Sequence, residues 1–202
     1  MSTLKTGALR GTSGTADSIQ LHASDQSVTF PGAVTVTGAL TSSTTGLGLF
    51  SSYAILKDLK TTGGGDFTSG AWRDRPLSTE YADPDGIVSI TDTSAGDFTL
   101  ASAGTYLIKW QCPAYDVGQH ISKLRNTSDS SDVCFSNAAT AWEDEVENSW
   151  SFGLARVTIA SSKTFRVQHY GETTQNGNGM GTYYGPGSES LEFLRVEIYK
   201  ET

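Results

Sequence analysis

The stretch AWEDEVENSW, residues 141–150, sets four carboxylates, Glu143, Asp144, Glu145 and Glu147, between Trp142 and Trp150. Acid pairs beside indole faces are the materials of a glycosidase, which holds two carboxyls roughly 5 to 9.5 Å apart across a sugar ring. A run of like charges in a loop more commonly faces solvent, and nothing else in the chain completes a catalytic set. His22, His120 and His169 are scattered, and no G-x-S-x-G places a serine beside a base. His169 falls in phase with Phe165 and Val167, which is where a hydrogen-bonded core histidine belongs. We therefore expect no enzyme and assign no catalytic residue.

Metal chemistry has as little to stand on. YADPDG (81–86) and DTSAGD (92–97) are rich in oxygen ligands of the kind calcium takes, but they miss the EF-hand spacing, and Asp in such stretches forms turns. No metal ligand and no cofactor is assigned. Cys112 and Cys134 are too few for a disulfide scaffold or a four-ligand zinc site, and neither belongs to a C-x-x-C pair. Two buried thiols are expected, with a bridge between them left open.

One loop has the makings of a binding surface. GETTQNGNGMGTYYGPGSES (171–190) combines backbone freedom with the flat amphipathic rings of Tyr183 and Tyr184. With Trp142, these form the candidate receptor or partner loop, since recognition concentrates on loops held by a rigid scaffold.

That scaffold reads as strands. GIVSI (86–90), DFTL (97–100), GTYLIKWQC (104–112), HISKLRN (120–126), WSFGLARVTI (150–159), TFRVQHY (164–170) and LEFLRVEIYK (191–200) alternate between turn-rich loops, the pattern of an antiparallel sandwich or barrel, and no helix is expected. In the last strand Leu194, Val196 and Ile198 form a core face, while Phe193, Arg195, Glu197 and Tyr199 fall on the other side. Tyr106 and Ile108 likewise share a face with Trp110, opposite Leu107 and Lys109. A sheet with apolar content on both faces needs a second cover, and a neighbouring copy of the chain supplies it.

The N-terminal part differs. SIQLHASDQSVTFPGAVTVTGAL (18–40) pairs Ile19 with Leu21, Val28 with Phe30 and Val34 with Val36, in units too short to fold alone. Each strand would bury two apolar side chains, worth roughly 1.5 to 3 kcal/mol apiece, against an ordering cost of about 1 to 2 kcal/mol per residue. Identical strands around an axis would meet that cost, so these six residues are the expected interface of a three-chain β-stalk. TSSTTGLGLFSS (41–52) reads as a neck. The expected organisation is an attachment segment over 1–15, stalk and neck over 16–48, and a head over 49–202.

Composition narrows the partners. The 202 residues carry a formal net charge of −8, with 14 Lys and Arg against 22 Asp and Glu, and no basic cluster. Nucleic acid and anionic membrane surfaces are poor partners for such a chain. No run of about 18 apolar residues spans a bilayer, and MSTLKTGALRGTSGTADS lacks the apolar core of a secretory signal, so synthesis as a soluble cytoplasmic chain is expected.

AWRDRPLSTE (71–80), DGIVSI, FTLASAGTYLIKWQCPAY (98–115), HISKLRN, TFRVQHY and the closing VEIYK resemble the C1q/TNF-like jelly-roll heads on fibres of tailed bacteriophages, particularly marine ones. The opening repeats are similar to the stems that precede such heads. The resemblance implies an all-β homotrimer with a jelly-roll knob, and places Tyr106 and Tyr199 near the three-fold axis; with Ile108 and Phe193 these make the expected knob interface. It implies a structural virion protein, assembled in the host cytoplasm. Such a fibre would dock on other virion proteins through its N-terminus and adhere to a bacterial surface glycan or protein through the knob. The alternative is a decoration protein whose knob binds other virion proteins.

Overall fold

Short alternating strands separated by Gly, Asp and Ser turns fold here into two units, residues 1–44 and 45–202. The computed structural model describes residues 8–10, 17–21, 28–29, 49–142, 148–185 and 188–201. Among the described residues there is no helix, and so none long and apolar enough to cross a membrane.

In the first unit β1 (Ala8–Arg10), β2 (Asp17–Leu21) and β3 (Val28–Thr29) form an antiparallel sheet in the order β1-β2-β3. Leu9 lies across from Ile19, and Leu21 across from Val28. These short strands find backbone partners inside one chain, and β1 lies within the stretch expected as a separate attachment segment. Phe30, Val34 and Val36 lie outside the described residues.

The second unit is a sandwich of two antiparallel sheets. One runs β12-β9-β14-β4-β6, built from β4 (Phe50–Lys60), β6 (Thr79–Ala82), β9 (Gly104–Tyr115), β12 (Asn148–Ile159) and β14 (Leu191–Glu201). The other runs β11-β10-β13-β8-β7, from β7 (Val88–Asp92), β8 (Asp97–Leu100), β10 (Gly118–Asn126), β11 (Ser131–Ala141) and β13 (Lys163–Gly171), with the short β5 (Arg73–Asp74) also pairing with β13. All seven strands expected from sequence are present; β4, β5, β6 and β11 are additional. β4 begins at Phe50, so the end of the stretch 41–52 that reads as a neck is strand.

The inner faces meet in one core. Leu56, Tyr106, Ile108, Trp110, Leu194, Val196 and Ile198 from the first sheet pack on Leu100, Leu124, Val167 and the stacked pair Phe98–Phe165 from the second. β12 adds Ile159 to this core at its end, but the residues next to Trp110 are small, Gly153 and Ala155. A Cβ on Gly153 would sit 1.9 Å from the Trp110 ring, so the absence of a side chain there lets the indole lie across the strand. Large residue on one strand and none on its partner fill the layer together.

One end of the same interior is polar. The Trp110 indole donates to Ser122 Oγ (2.8 Å), which meets Ser151 Oγ at 2.6 Å, and Ser151 meets Ser136 Oγ at 2.6 Å. Beside them His120 Nδ1 and His169 Nε2 share a hydrogen bond of 2.9 Å, extended to Ser149 Oγ (2.6 Å) on one side and Cys112 Sγ (3.7 Å) on the other. Every buried polar group in this seam has a partner, as burial requires. Burial, and then the Arg75 charge, push His120 down to about 4 and hold His169 well below its ordinary value, so both imidazoles are neutral. His169 is thus the bonded core histidine that its phase suggests.

Candidate assembly face and binding loops

The outer face of the five-stranded sheet is organised in cross-strand rows. Phe152, Gln111, Arg195 and Lys57 stand in one row; Leu154, Lys109, Glu197 and Ile55 in the next; Arg156, Leu107, Tyr199 and Tyr53 in a third. Phe152 is 54% and Leu154 55% exposed, with Tyr53 at 44% and Phe50 at 40%, so this is not an ordinary water-facing surface. Phe50 and Tyr199 rings lie 5.1 Å apart at its lower edge.

Ion pairs run across the same strands. Lys109 Nζ reaches Glu197 Oε2 at 2.8 Å, where the Tyr199 hydroxyl also donates at 2.9 Å. Arg195 lies between Glu197 (3.5 Å) and Glu192 (2.9 Å), and Glu192 pairs with Lys57 at 3.2 Å. Burial works to raise the Glu197 carboxyl, but the bonds from Lys109 and Tyr199 outweigh it and hold Glu197 below the usual carboxylate value. The bond to Glu197 pushes Lys109 up in turn. Lys109 and Glu197 therefore stay ionised at neutral pH, and a hollow of about 150 Å³ opens between this pair and Phe152.

Tyr199 stands on this face. Tyr106, Ile108 and Phe193 do not: each is buried inside the chain and unavailable to another copy. Tyr106 and Ile108 take the inward phase of β9, where the Tyr106 hydroxyl donates to the Ser102 carbonyl at 2.9 Å. Phe193 sits where the β4–β14 register shifts between Glu192 and Leu194, which breaks the alternation, and the loop segments at Gly64 and Gly181 cover its ring. The face is instead made by Leu107, Lys109, Phe152, Leu154 and Tyr53. Small Gly153 and Ala155 alternating with large Phe152 and Leu154 was the available signal, since the inward positions of β12 must leave room for Trp110.

The long loop after β13 is tied down at its base. Phe67 and Gln175 form an isolated bridge, Gly64 donates to the Gly181 carbonyl at 2.8 Å, and Arg75 Nη2 donates to the carbonyls of Met180 (3.1 Å) and Phe193. Arg75 is fully buried, its Nε and Nη1 have no hydrogen-bond partner among the described residues, and burial lowers its pKa. Tyr183 closes the loop through a bond from its hydroxyl to the Glu189 carbonyl (3.0 Å), whereas Tyr184 is 91% exposed. Tyr184 shares a hollow of about 290 Å³ with Trp150, Asn148 and Pro113. Trp142 is exposed at the end of β11 and does not line that hollow; Glu143, Asp144, Glu145 and Glu147 lie outside the described residues.

The two aspartate-rich stretches cap their own turns. Asp83 accepts from the backbone of Ile87 (2.9 Å) and Val88 (3.0 Å), and Asp92 from Ser94 (2.9 Å) and Ala95 (3.1 Å). Both cysteines are free: Cys112 is buried, with burial pushing its thiol up, while Cys134 is only partly buried, against the expectation of two interior thiols.

The sequence matches no protein-family model and no curated protein. Among solved structures the head is similar to the Eiger TNF of S. frugiperda, at 15% identity and a TM-score of 0.51, over 74% of this chain and 92% of that one. The globular domain of zebrafish complement 1qA aligns at 9% identity and a TM-score of 0.44, over 74% of this chain and 94% of that one. Murine APRIL aligns at 8% and 0.45, over 74% and 98%. The Eiger likeness and the strand order together make the head a C1q/TNF-like antiparallel jelly roll.

Proposed function

We propose that the chain is the homotrimeric head and stem of a fibre of tailed-bacteriophage type, which adheres to a bacterial surface polysaccharide and carries out no chemistry of its own. The observation that carries the trimer is the outer face of the five-stranded sheet, where half-exposed Phe152, Leu154 and Tyr53 alternate with a partly desolvated ion ladder. A monomer leaves such a face in water at a cost, whereas cyclic closure covers it and keeps the charges paired. Three heads on one axis present three copies of each site, so weak contacts to a repetitive polymer add up. The marine phage setting rests on the resemblance of the opening repeats and of the head segments to such fibres.

Light scattering on the purified full-length chain should return three times the chain mass, and a monomer at micromolar concentration would sink the proposal. Labelled trimer should be retained by cells from a panel of marine bacteria, and released when periodate oxidation destroys their surface sugars. Retention on oxidised cells would move adhesion to a protein receptor.

A further inference from the structure

On the opposite face of the head, away from the ion ladder, three strands and Glu172, the first residue beyond β13, build a cleft. Ala138 of β11, Ile121 of β10 and Tyr170 of β13 stand in one cross-strand row. Because Ala138 is small, a hollow of about 380 Å³ opens above Ile121, walled by Tyr170 and rimmed by Gln119 and Glu172. That volume falls in the ordinary range of small-ligand sites, roughly 300 to 1,000 Å³.

The aromatic wall is held from behind. Trp72 packs on Tyr170 (5.7 Å between centroids) and on Phe135 (5.8 Å), and Lys123 Nζ lies 4.1 Å from the Trp72 ring centre. Lys123 of β10 is itself nearly buried and paired with Asp132 of β11 at 2.9 Å, so ring, cation and carboxylate fix one another. Tyr170 remains 37% and Phe135 52% exposed. At the rim, Glu172 Oε2 accepts from the backbone of Gln119 at 3.2 Å, which orients the carboxylate, and among the described residues no ion pair reaches Glu172.

We infer that this cleft binds a neutral saccharide, and so is where the adhesion proposed above takes place, an inference that rests on that proposal. A pyranose ring has an apolar face of C–H groups and an edge of hydroxyls. The apolar face fits the Tyr170 ring and the Ile121–Ala138 floor, because polarised C–H groups favour the electron-rich side of an aromatic ring. The hydroxyls meet an amide that donates and accepts at Gln119 and a carboxylate that accepts at Glu172. A purely apolar ligand would desolvate Glu172 without replacing its hydrogen bonds. An anionic sugar would face a carboxylate that no cation neutralises. The cleft is on the sheet that the trimer face does not use, so assembly leaves three of them open.

The test is calorimetric titration of the full-length protein with triacetylchitotriose, maltotriose and sialyllactose, alongside the cell-retention assay. At least one neutral trisaccharide should bind, and Tyr170→Ala should weaken it by about tenfold or more. Ala138→Leu, which removes no contact and fills the hollow at an exposed position, should do the same with the trimer mass unchanged. Sialyllactose should bind only after Glu172→Gln. If neither neutral sugar binds, or if binding survives both Tyr170→Ala and Ala138→Leu, the inference is overturned. Cell retention that survives both variants but is lost in Tyr184→Ala also overturns it, while leaving trimeric adhesion standing.

Discussion

On the outer face of the five-stranded sheet, ion pairs run from strand to strand between half-exposed Phe, Leu and Tyr side chains, with a hollow of only about 150 Å³ among them. On the outer face of the six-stranded sheet, Trp72 is braced by Lys123 and packs on Tyr170, beside a larger cleft of about 380 Å³. The first is broad and rich in paired groups, which suits a large contact with another copy of the chain. The second is concave, small and asymmetric, which suits a single ring. Interface composition follows the same division: aromatic and arginine content over a wide area for protein contact, a few convergent polar groups around an apolar hollow for a ligand.

The largest effect that separates the faces comes from charging the first. Phe152→Asp with Leu154→Asp should reduce the light-scattering mass from three chains to one, while circular dichroism keeps its strand signal, because both side chains are already more than half exposed. Sugar binding per chain should not change. A mass that stays at three chains would remove the division of labour between the faces.

A second change acts on the layer beneath. Gly153→Ala drives a methyl group into the Trp110 ring and should lower stability by about 1 to 3 kcal/mol, read from the urea midpoint. Since Trp110 bonds to Ser122 of the cleft strand β10, the cost should appear on both faces, as weaker assembly and weaker sugar binding together. A variant that disturbs only the five-stranded face would show that the faces are mechanically independent.

The smallest effect is protonic. In the unfolded chain His120 and His169 take up protons near pH 6.5, whereas in the folded head burial and Arg75 hold them neutral, His120 down to about 4. Unfolding therefore binds protons as pH falls, and this part of the stability, complete above about pH 6.5, is lost below it. Roughly 1 kcal/mol should disappear between pH 7 and pH 6, measured from urea midpoints, and His120→Gln should reduce that slope.

How much of this was legible beforehand depended on whether alternation alone decides a position. In β14, Leu194, Val196 and Ile198 against Arg195, Glu197 and Tyr199 could be read directly, because chemistry and phase agree there. Phe193 could not, since it sits at a register shift and is covered by the distant loop segments at Gly64 and Gly181. In β12 hydrophobicity points the wrong way: Phe152 and Leu154 are outside, and Ser151, Gly153 and Ala155 inside, because volume matching to Trp110 overrides polarity. Tyr106 and Ile108 had the right phase and the wrong side, which sequence cannot fix until the second sheet is known. The cleft was invisible for a further reason. Its wall, floor and rim come from Gln119, Ile121, Ala138, Tyr170 and Glu172, residues that are unremarkable singly and meet through the β11-β10-β13 pairing.

The pairing of β4 with β14 bears on load. Ser52 lies opposite Lys200 and Phe50 opposite Glu201, while Lys60 at the far end of β4 lies opposite Leu191. Tension entering the head at Phe50 and leaving through the loops near Leu191 pulls β4 along its own length. The whole ladder is then strained in shear, with its bonds loaded in parallel rather than peeled one after another. A tether gripping the head at Phe50 and Glu201 would instead open the same ladder like a zipper, at far lower force. The direction in which this sandwich is stretched decides its strength.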